Sequence, residues 1–170
     1  MADAFVSSHP SISVGLIPCA KGGSSVSEWQ KIPAANPRTT LFGSCLNRMK
    51  AASPNGALRA AIFWQGARDG KTQDAASRWG QRFTAFVRDL RNDLGTPNLP
   101  VILIMLGSPK GKALLKYPYW EVVRKEQRTV DIPGLIKIEA DGYERNDGMH
   151  FSTTGQLAIG ADLAPLLPIP

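Results

Sequence analysis

The sequence predicts an α/β protein with a parallel sheet, because apolar runs typical of buried strands alternate along the chain with amphipathic helical segments. The apolar runs are continuous, which is typical of strands that are covered on both faces. They span Ser13 to Ala20, Leu58 to Gln65, Leu99 to Leu106 and Leu135 to Ala140. Strands that alternate with helices pair in parallel through right-handed crossovers. We therefore expect one parallel sheet between helices.

The clearest helix is predicted from about Gln73 to Leu94, where large apolar residues recur at three- and four-residue spacing and form one face. Gly95 follows directly and is a typical helix terminator. Three further helices are predicted over Thr39 to Ala52, Tyr119 to Val130 and Thr154 to Leu167.

The length of 170 residues suits one compact domain, and no repeat, linker or low-complexity tract divides the chain. We expect a single domain over residues 1–170. The longest apolar run is far shorter than the roughly 20 residues of a membrane span, so the sequence predicts a soluble protein without a membrane partner. The amino terminus lacks the basic and apolar regions of a secretion signal, and the compartment stays open.

The net charge of +6 raises the question of nucleic-acid binding. The basic residues are, however, scattered and interleaved with acidic ones, as in the run from Arg88 to Asp93. Such a pattern is typical of a solvated surface, so no nucleic-acid partner is predicted.

The two cysteines, Cys19 and Cys45, both lie in apolar surroundings. They could pair, but small buried thiols are the favoured interpretation. Neither has a second cysteine or a histidine two to four residues away, so the sequence predicts no metal site of that kind and no cofactor.

Polar and glycine residues directly follow each predicted strand. In parallel sheets the ligand crevice lies beyond the carboxyl ends of the strands, so we expect these residues to meet at one rim. They include, in strand order, Gly22 to Ser25, Gln65 to Asp69, Gly107 with Ser108, and Asp141.

Asp147 precedes His150 by three residues, and Gly148 between them permits a tight turn. The carboxylate could then reach the imidazole and fix its orientation, as in hydrolases where histidine is the general base. A purely structural turn is the alternative. The other histidine, His9, lies in a polar amino-terminal segment and is expected to face solvent.

Donors for an oxyanion are predicted at two strand ends. Gly22 and Gly23 leave backbone N–H groups uncovered, and Gln65 carries a side-chain amide. A plain turn and a surface amide are the respective alternatives. With His150 at the same rim, the combination favours a hydrolytic site.

Four blocks of the sequence resemble the sialate O-acetylesterase-like branch of the SGNH hydrolases, which includes carbohydrate esterase family six and its plant relatives. In order they are Val14 to Trp29, Phe63 to Asp69, Leu99 to Ile102, and Asp147 to Phe151. The resemblance extends over almost the whole chain.

The resemblance implies a flavodoxin-like three-layer α/β/α sandwich, the SGNH hydrolase fold. It also implies hydrolysis of O-acetyl esters on an acylated small molecule or carbohydrate, without a metal. His150 would match the general base and Asp147 its orienting acid. Gly22, Gly23 and Gln65 would match the oxyanion-hole donors.

The chain departs from the family pattern at two places. The family's first block, a strand ending in Gly-Gln-Ser-Asn that carries the nucleophilic serine, is not found, so the nucleophile is unassigned. Ser24 is the candidate within the chain, with Ser25 beside it, and helix capping is the alternative role for both hydroxyls. Ala67 stands where the family usually has glutamate, which predicts an altered pocket.

In the family's sheet order, this first strand lies centrally, between the predicted strands at Ser13 to Ala20 and Leu58 to Gln65. Two strand edges cannot face a gap with their backbone groups unpaired. We expect direct pairing of the two strands, a strand from the amino-terminal segment or from another protomer, or a separate polypeptide.

Two other functions compete with the esterase. The absent serine block favours a catalytically impaired module that binds acylated carbohydrate. The segment from Gln65 to Thr72 resembles a phosphate-binding loop, but Gln65 stands where such a loop needs glycine.

Overall fold

The computed structural model describes residues 1–109, 111 and 113–168. At its centre is a parallel sheet of β1 (Ala61–Phe63), β2 (Val101–Ile104) and β3 (Leu135–Ile138), in the order β1-β2-β3. Ile62 pairs with Ile102, which pairs in turn with Ile136. The parallel pairing confirms the predicted sheet type, and each observed strand is a shorter part of its predicted run.

Some of the helices around the sheet begin or end at residues with the expected capping chemistry. Thr40 accepts a hydrogen bond from the N–H of Gly43 through its side chain and so starts the second helix. Gly95 has φ 66° and ends the longest helix. The helices are α1 (Ala2–Ser8), α2 (Leu41–Ala52), α3 (Gln73–Ser77), α4 (Trp79–Leu94), α5 (Ala113–Lys116), α6 (Trp120–Thr129) and α7 (Thr153–Leu163).

Apolar clusters cover both faces of the sheet, because successive side chains of a strand point to opposite faces. Val101 and Leu103 of β2 belong to the cluster built with α2, α4 and α6. Ile102 and Ile104 belong to the cluster built with α7. The expected three-layer α/β/α arrangement is therefore confirmed.

The predicted strand from Ser13 to Ala20 is wrong, because this segment forms no strand ladder with any described residue. Its Leu16 is 63% exposed. The segment is not paired with β1, and residues 2–8 form α1 rather than an added strand. Among the described residues, β1 pairs only with β2, so its other edge is open.

The predicted helix from Gln73 to Leu94 is present as two helices. Arg78, with φ −100° and ψ 4°, interrupts it between α3 and α4. The helices predicted around α2, α6 and α7 are confirmed with shifts of a few residues at their ends. No helix in the described ranges is both long and apolar enough to cross a membrane.

Candidate functional site

Trp64 and Gln65, which follow β1, contact the two parts of the predicted site, one beside His150 and the other beside Gly23. The Trp64 ring stacks on Phe151, the neighbour of His150, with ring centroids 4.4 Å apart. Gln65 donates from Nε2 to the carbonyl oxygen of Ser24 at 2.8 Å. The Asp147–His150 turn and the segment from Gly22 to Ser25, called the glycine loop below, therefore both lie beside the end of β1.

His150 and Asp147 form the predicted pair. Nδ1 of His150 lies 2.7 Å from Oδ2 of Asp147. A carboxylate only accepts hydrogen bonds, so Nδ1 carries a proton, and in the neutral ring Nε2 keeps its lone pair. The His150 side chain is 65% exposed, and no described residue hydrogen-bonds to Nε2. This nitrogen is positioned to take a proton from a reacting group.

The turn holds the Asp147 carboxylate ionised. Its Oδ1 accepts hydrogen bonds from the N–H groups of Met149, at 3.0 Å, and His150, at 2.7 Å. The His150 N–H, followed by the imidazole and the Met149 N–H, holds the pKa of Asp147 well below its usual range. A carboxylate held ionised in this way can stabilise a positively charged imidazole ring beside it.

Arg145 fixes the turn to the ends of β2 and β3. The side chain is 4% exposed and donates to the carbonyl oxygens of Ser108, at 2.6 Å, and Gly148, at 3.2 Å. It also donates to the carbonyl of Ala140 at 3.3 Å. Gly148 has φ 78°, a conformation that favours glycine. Sequence reasoning missed Arg145, since nothing distinguished it from the surface arginines.

The glycine loop has the open backbone that its sequence predicts. Gly23 has φ 71°, and no atom lies within 4 Å of where a Cβ would stand on Gly22 or Gly23. Among the described residues, neither glycine N–H has a hydrogen-bond acceptor. Both groups are therefore available to a ligand.

The hydroxyls of Ser24 and Ser25 are held by neighbouring groups. Ser24 is 6% exposed, and its Oγ donates to the carbonyl of Lys21 at 2.8 Å and accepts from Nε1 of Trp29 at 2.9 Å. Ser25 donates to the carboxylate of Glu28 at 2.9 Å, at the start of a 3₁₀ turn. These contacts favour the structural alternative for both serines.

Gln65 is more constrained than the sequence indicates. Besides Ser24, its Nε2 donates to Oδ2 of Asp69 at 2.5 Å, and its Oε1 accepts from Nε1 of Trp79 at 3.0 Å. An amide NH2 has two hydrogens, so both are in use. Gln65 therefore braces the glycine loop, and it reaches a substrate only by giving up one of these bonds.

Asp69 is the second residue that sequence reasoning missed. It is fully buried, and its two oxygens each lie 3.1 Å from the N–H of Val26, directly after the glycine loop. Burial raises the pKa of its carboxyl, while the hydrogen bonds from Gln65 and Val26 lower it. The loop from Gln65 to Thr72 thus encloses a carboxylate, which does not support phosphate binding there.

Gln127, buried on α6, fixes the backbone behind the site. It donates to the carbonyl of Gln65 at 2.8 Å and accepts from the N–H of Leu106 at 2.7 Å. A Cβ on Gly66 would lie 2.8 Å from this amide, so a side chain does not fit there. Nearby Ala67 packs against the apolar cluster. No group of three His, Cys, Asp or Glu side chains within the described residues is placed to hold a metal ion.

Comparison with known proteins decides the family. A family model described as carbohydrate esterase, sialic acid-specific acetylesterase, matches residues 1–167. The chain belongs to this family. Membership confirms the resemblance that the four sequence blocks predict, and it agrees with the α/β fold around the site.

Relatives of this carbohydrate esterase family member cover nearly all of the chain. A probable carbohydrate esterase of Arabidopsis thaliana is 27% identical over 153 residues, which are 89% of this chain and 54% of the relative. A crystal structure of an Arabidopsis thaliana protein superposes with a TM-score of 0.81 and 27% identity, over 97% of this chain and 64% of that one. The chain thus spans about half the length of the curated relative.

A second solved structure shares the fold of the family member described here. It is a carbohydrate acetylesterase from Xanthomonas citri, with a TM-score of 0.61 and 19% identity. The superposition covers 84% of this chain and 34% of that structure.

Proposed function

We propose that the chain acts as a carbohydrate-type O-acetylesterase in which His150 is the general base and Asp147 orients it. The observation that carries the proposal is the 2.7 Å contact between His150 Nδ1 and Asp147 Oδ2, which leaves Nε2 free at the rim. Nε2 takes the proton of the attacking hydroxyl, and later returns it to the leaving alcohol. No metal takes part in this mechanism.

The oxyanion is proposed to bind at the glycine loop. The N–H groups of Gly22 and Gly23 have no acceptor among the described residues and can donate to the charge that develops on the carbonyl oxygen. Gln65 holds this loop through the carbonyl of Ser24, at 2.8 Å. The Gln65 amide joins the oxyanion hole when its hydrogen bond to Ser24 is replaced by one to the substrate oxygen.

The proposed mechanism also needs an attacking group. Ser24 would attack only after its hydroxyl leaves both Lys21 and Trp29, which favours a different source. A serine on a separate polypeptide paired at the open edge of β1 would arrive at the carboxyl end of the sheet, between the glycine loop and the Asp147–His150 turn, whereas a second copy of this chain at that edge supplies no such serine. Where no serine is supplied, His150 activates water directly.

A second protomer is our proposed occupant of the open β1 edge. Unpaired strand edges with apolar side chains are templates for pairing with another chain. Ile62 on β1 is 41% exposed. Pairing two such edges would satisfy their backbone groups and cover this side chain.

The change Ile62→Lys is expected to weaken this self-association about tenfold or more, because a charged side chain at a paired edge must be desolvated. Sedimentation over a concentration series measures it. Leu157→Lys is the matched control. Leu157 is 70% exposed on α7, so this change adds the same charge away from the β1 edge. Equal association of both variants, or a wild type that stays monomeric, would contradict a second protomer at the β1 edge.

The esterase proposal is tested with O-acetylated xylo-oligosaccharides, by measuring released acetate, and with the deacetylated sugars as a binding control. Acetate release by the purified chain supports an esterase.

The hydrogen-bonded hydroxyls of Ser24 and Ser25 favour the second candidate, a module that binds acylated carbohydrate without hydrolysing it. Calorimetric binding of the acetylated sugar with no acetate release would support that candidate and contradict the esterase.

A further inference from the structure

Cys19 and Cys45, 26 residues apart in sequence, lie against each other in the folded chain. The Sγ of Cys19 donates to the backbone carbonyl oxygen of Cys45 at 3.9 Å. Both are free, with Cys45 buried in α2 and Cys19 half-buried. Each sequence environment is apolar, so the contact became visible only in the structure.

The two cysteines line one cavity of about 150 Å³, together with Lys21 and Arg48. Arg48 lies one helical turn after Cys45 on α2 and donates to the carbonyl of Pro18 at 2.5 Å. The cavity therefore offers a partly exposed thiol, two basic side chains, and room for a small oxidant. A thiol beside positive charge is the environment in which cysteines react.

We propose that Cys19 and Cys45 form a reversible redox site, in which a peroxide converts the two thiols to an intramolecular disulfide. The Cys19 thiolate attacks the peroxide O–O bond, giving a sulfenic acid and water. The Cys45 sulfur then attacks the Cys19 sulfur, and a second water leaves. Two electrons pass from the sulfurs to the peroxide oxygens. A small-molecule or protein dithiol reverses the reaction.

The order of the two steps follows from the surroundings of each thiol. The Cys45 side chain beside it lowers the pKa of Cys19 to about 7, with Arg48 adding to the effect against burial. The same neighbour, together with burial, raises the pKa of Cys45. Cys19 is therefore the more acidic thiol and ionises first, and Cys45 resolves its sulfenic acid.

The disulfide would anchor the start of the glycine loop. Cys19 is the last residue but one of the unpaired segment from Ser13 to Ala20 and comes two residues before Lys21, whose carbonyl accepts the Ser24 hydroxyl. In the reduced chain this segment has no strand partner among the described residues. The bond would tie it to α2, so oxidation is expected to raise the melting temperature by about 5–15 °C.

The test treats the purified chain with hydrogen peroxide, then blocks remaining thiols with N-ethylmaleimide in denaturant. We expect a monomer lighter by two hydrogen atoms, with no maleimide attached, and a melting temperature that dithiothreitol returns to the reduced value. Two maleimide adducts after peroxide, or a disulfide only between two chains, would overturn the proposal.

Single variants test the assigned roles. In Cys45→Ala the Cys19 sulfenic acid has no resolving thiol, so dimedone is expected to trap it; in Cys19→Ser, Cys45 stays unmodified. The alkylation rate of Cys19 is expected to rise with pH with a midpoint near 7 in the wild type, and at higher pH in Cys45→Ala. Dimedone trapping in the wild type equal to that in Cys45→Ala, or identical midpoints, would contradict the assignment. Circular dichroism confirms that each variant is folded.

Discussion

Replacing Asp69 with alanine is expected to lower the free energy of unfolding by about 2–5 kcal/mol, because a buried donor and a half-buried one lose this acceptor. The donors are the N–H of Val26, 3.1 Å from the carboxylate, and Nε2 of Gln65, 2.5 Å from it. Each buried donor left unsatisfied costs about 1–3 kcal/mol. Since domains are stable by only about 5–15 kcal/mol, this is a large share. Urea unfolding followed by circular dichroism measures it.

Asp74→Ala is the matched control for this change. The Asp74 side chain is 64% exposed and forms an ion pair with Arg78 at the surface of α3. Such pairs contribute about 0–1 kcal/mol, so the control should stay close to the wild type. Equal unfolding energies for the two variants would show that Asp69 does not brace the glycine loop.

The second large effect is expected for Asp147→Asn, which should lower ester hydrolysis by a factor of about 10²–10⁴. The asparagine oxygen can keep the hydrogen bonds from the N–H groups of Met149 and His150. Its amide NH2 then faces Nδ1 of His150 as a donor, which moves the ring proton to Nε2 and removes the base. The turn stays folded while its chemistry is lost.

Initial rates and the melting temperature of Asp147→Asn are measured together, so that a folding defect is recognised. Asp162→Asn is the control, because it removes the same charge from an exposed carboxylate near the end of α7. This carboxylate accepts a hydrogen bond from the Tyr143 hydroxyl at 2.6 Å. It should hydrolyse within about twofold of the wild type. Equal rates for Asp147→Asn and the wild type would contradict an orienting role for Asp147.

Much of the layout could be predicted because it depends on local patterns. The spacing of Asp147, Gly148 and His150 is enough to specify a turn that joins carboxylate and imidazole, and the 2.7 Å contact has the predicted form. The three observed strands lie within predicted apolar runs. Their shared rim follows from the parallel sheet, which the alternation of strands and helices predicts.

The errors arise where structure depends on partners distant in sequence. The run from Ser13 to Ala20 is apolar enough for a strand, but a strand also needs a neighbour to pair with. In the sequence, nothing distinguishes Asp69 from other loop carboxylates. Its hydrogen bond from the N–H of Val26 forms only in the folded chain. Gln65 looks like a free amide until Ser24, Asp69 and Trp79 take up its hydrogen bonds. Contacts between residues that are distant in sequence could therefore not be predicted from the single sequence.

The most direct test of the central claim is the hydrolysis of p-nitrophenyl acetate by the purified chain, with His150→Ala and with Ser24→Ala/Ser25→Ala. We predict turnover above the buffer rate in the wild type, a fall of about 10²–10⁴ in His150→Ala, and retained turnover in the serine double variant. A wild-type rate equal to that of His150→Ala would contradict the assignment of His150 as the general base.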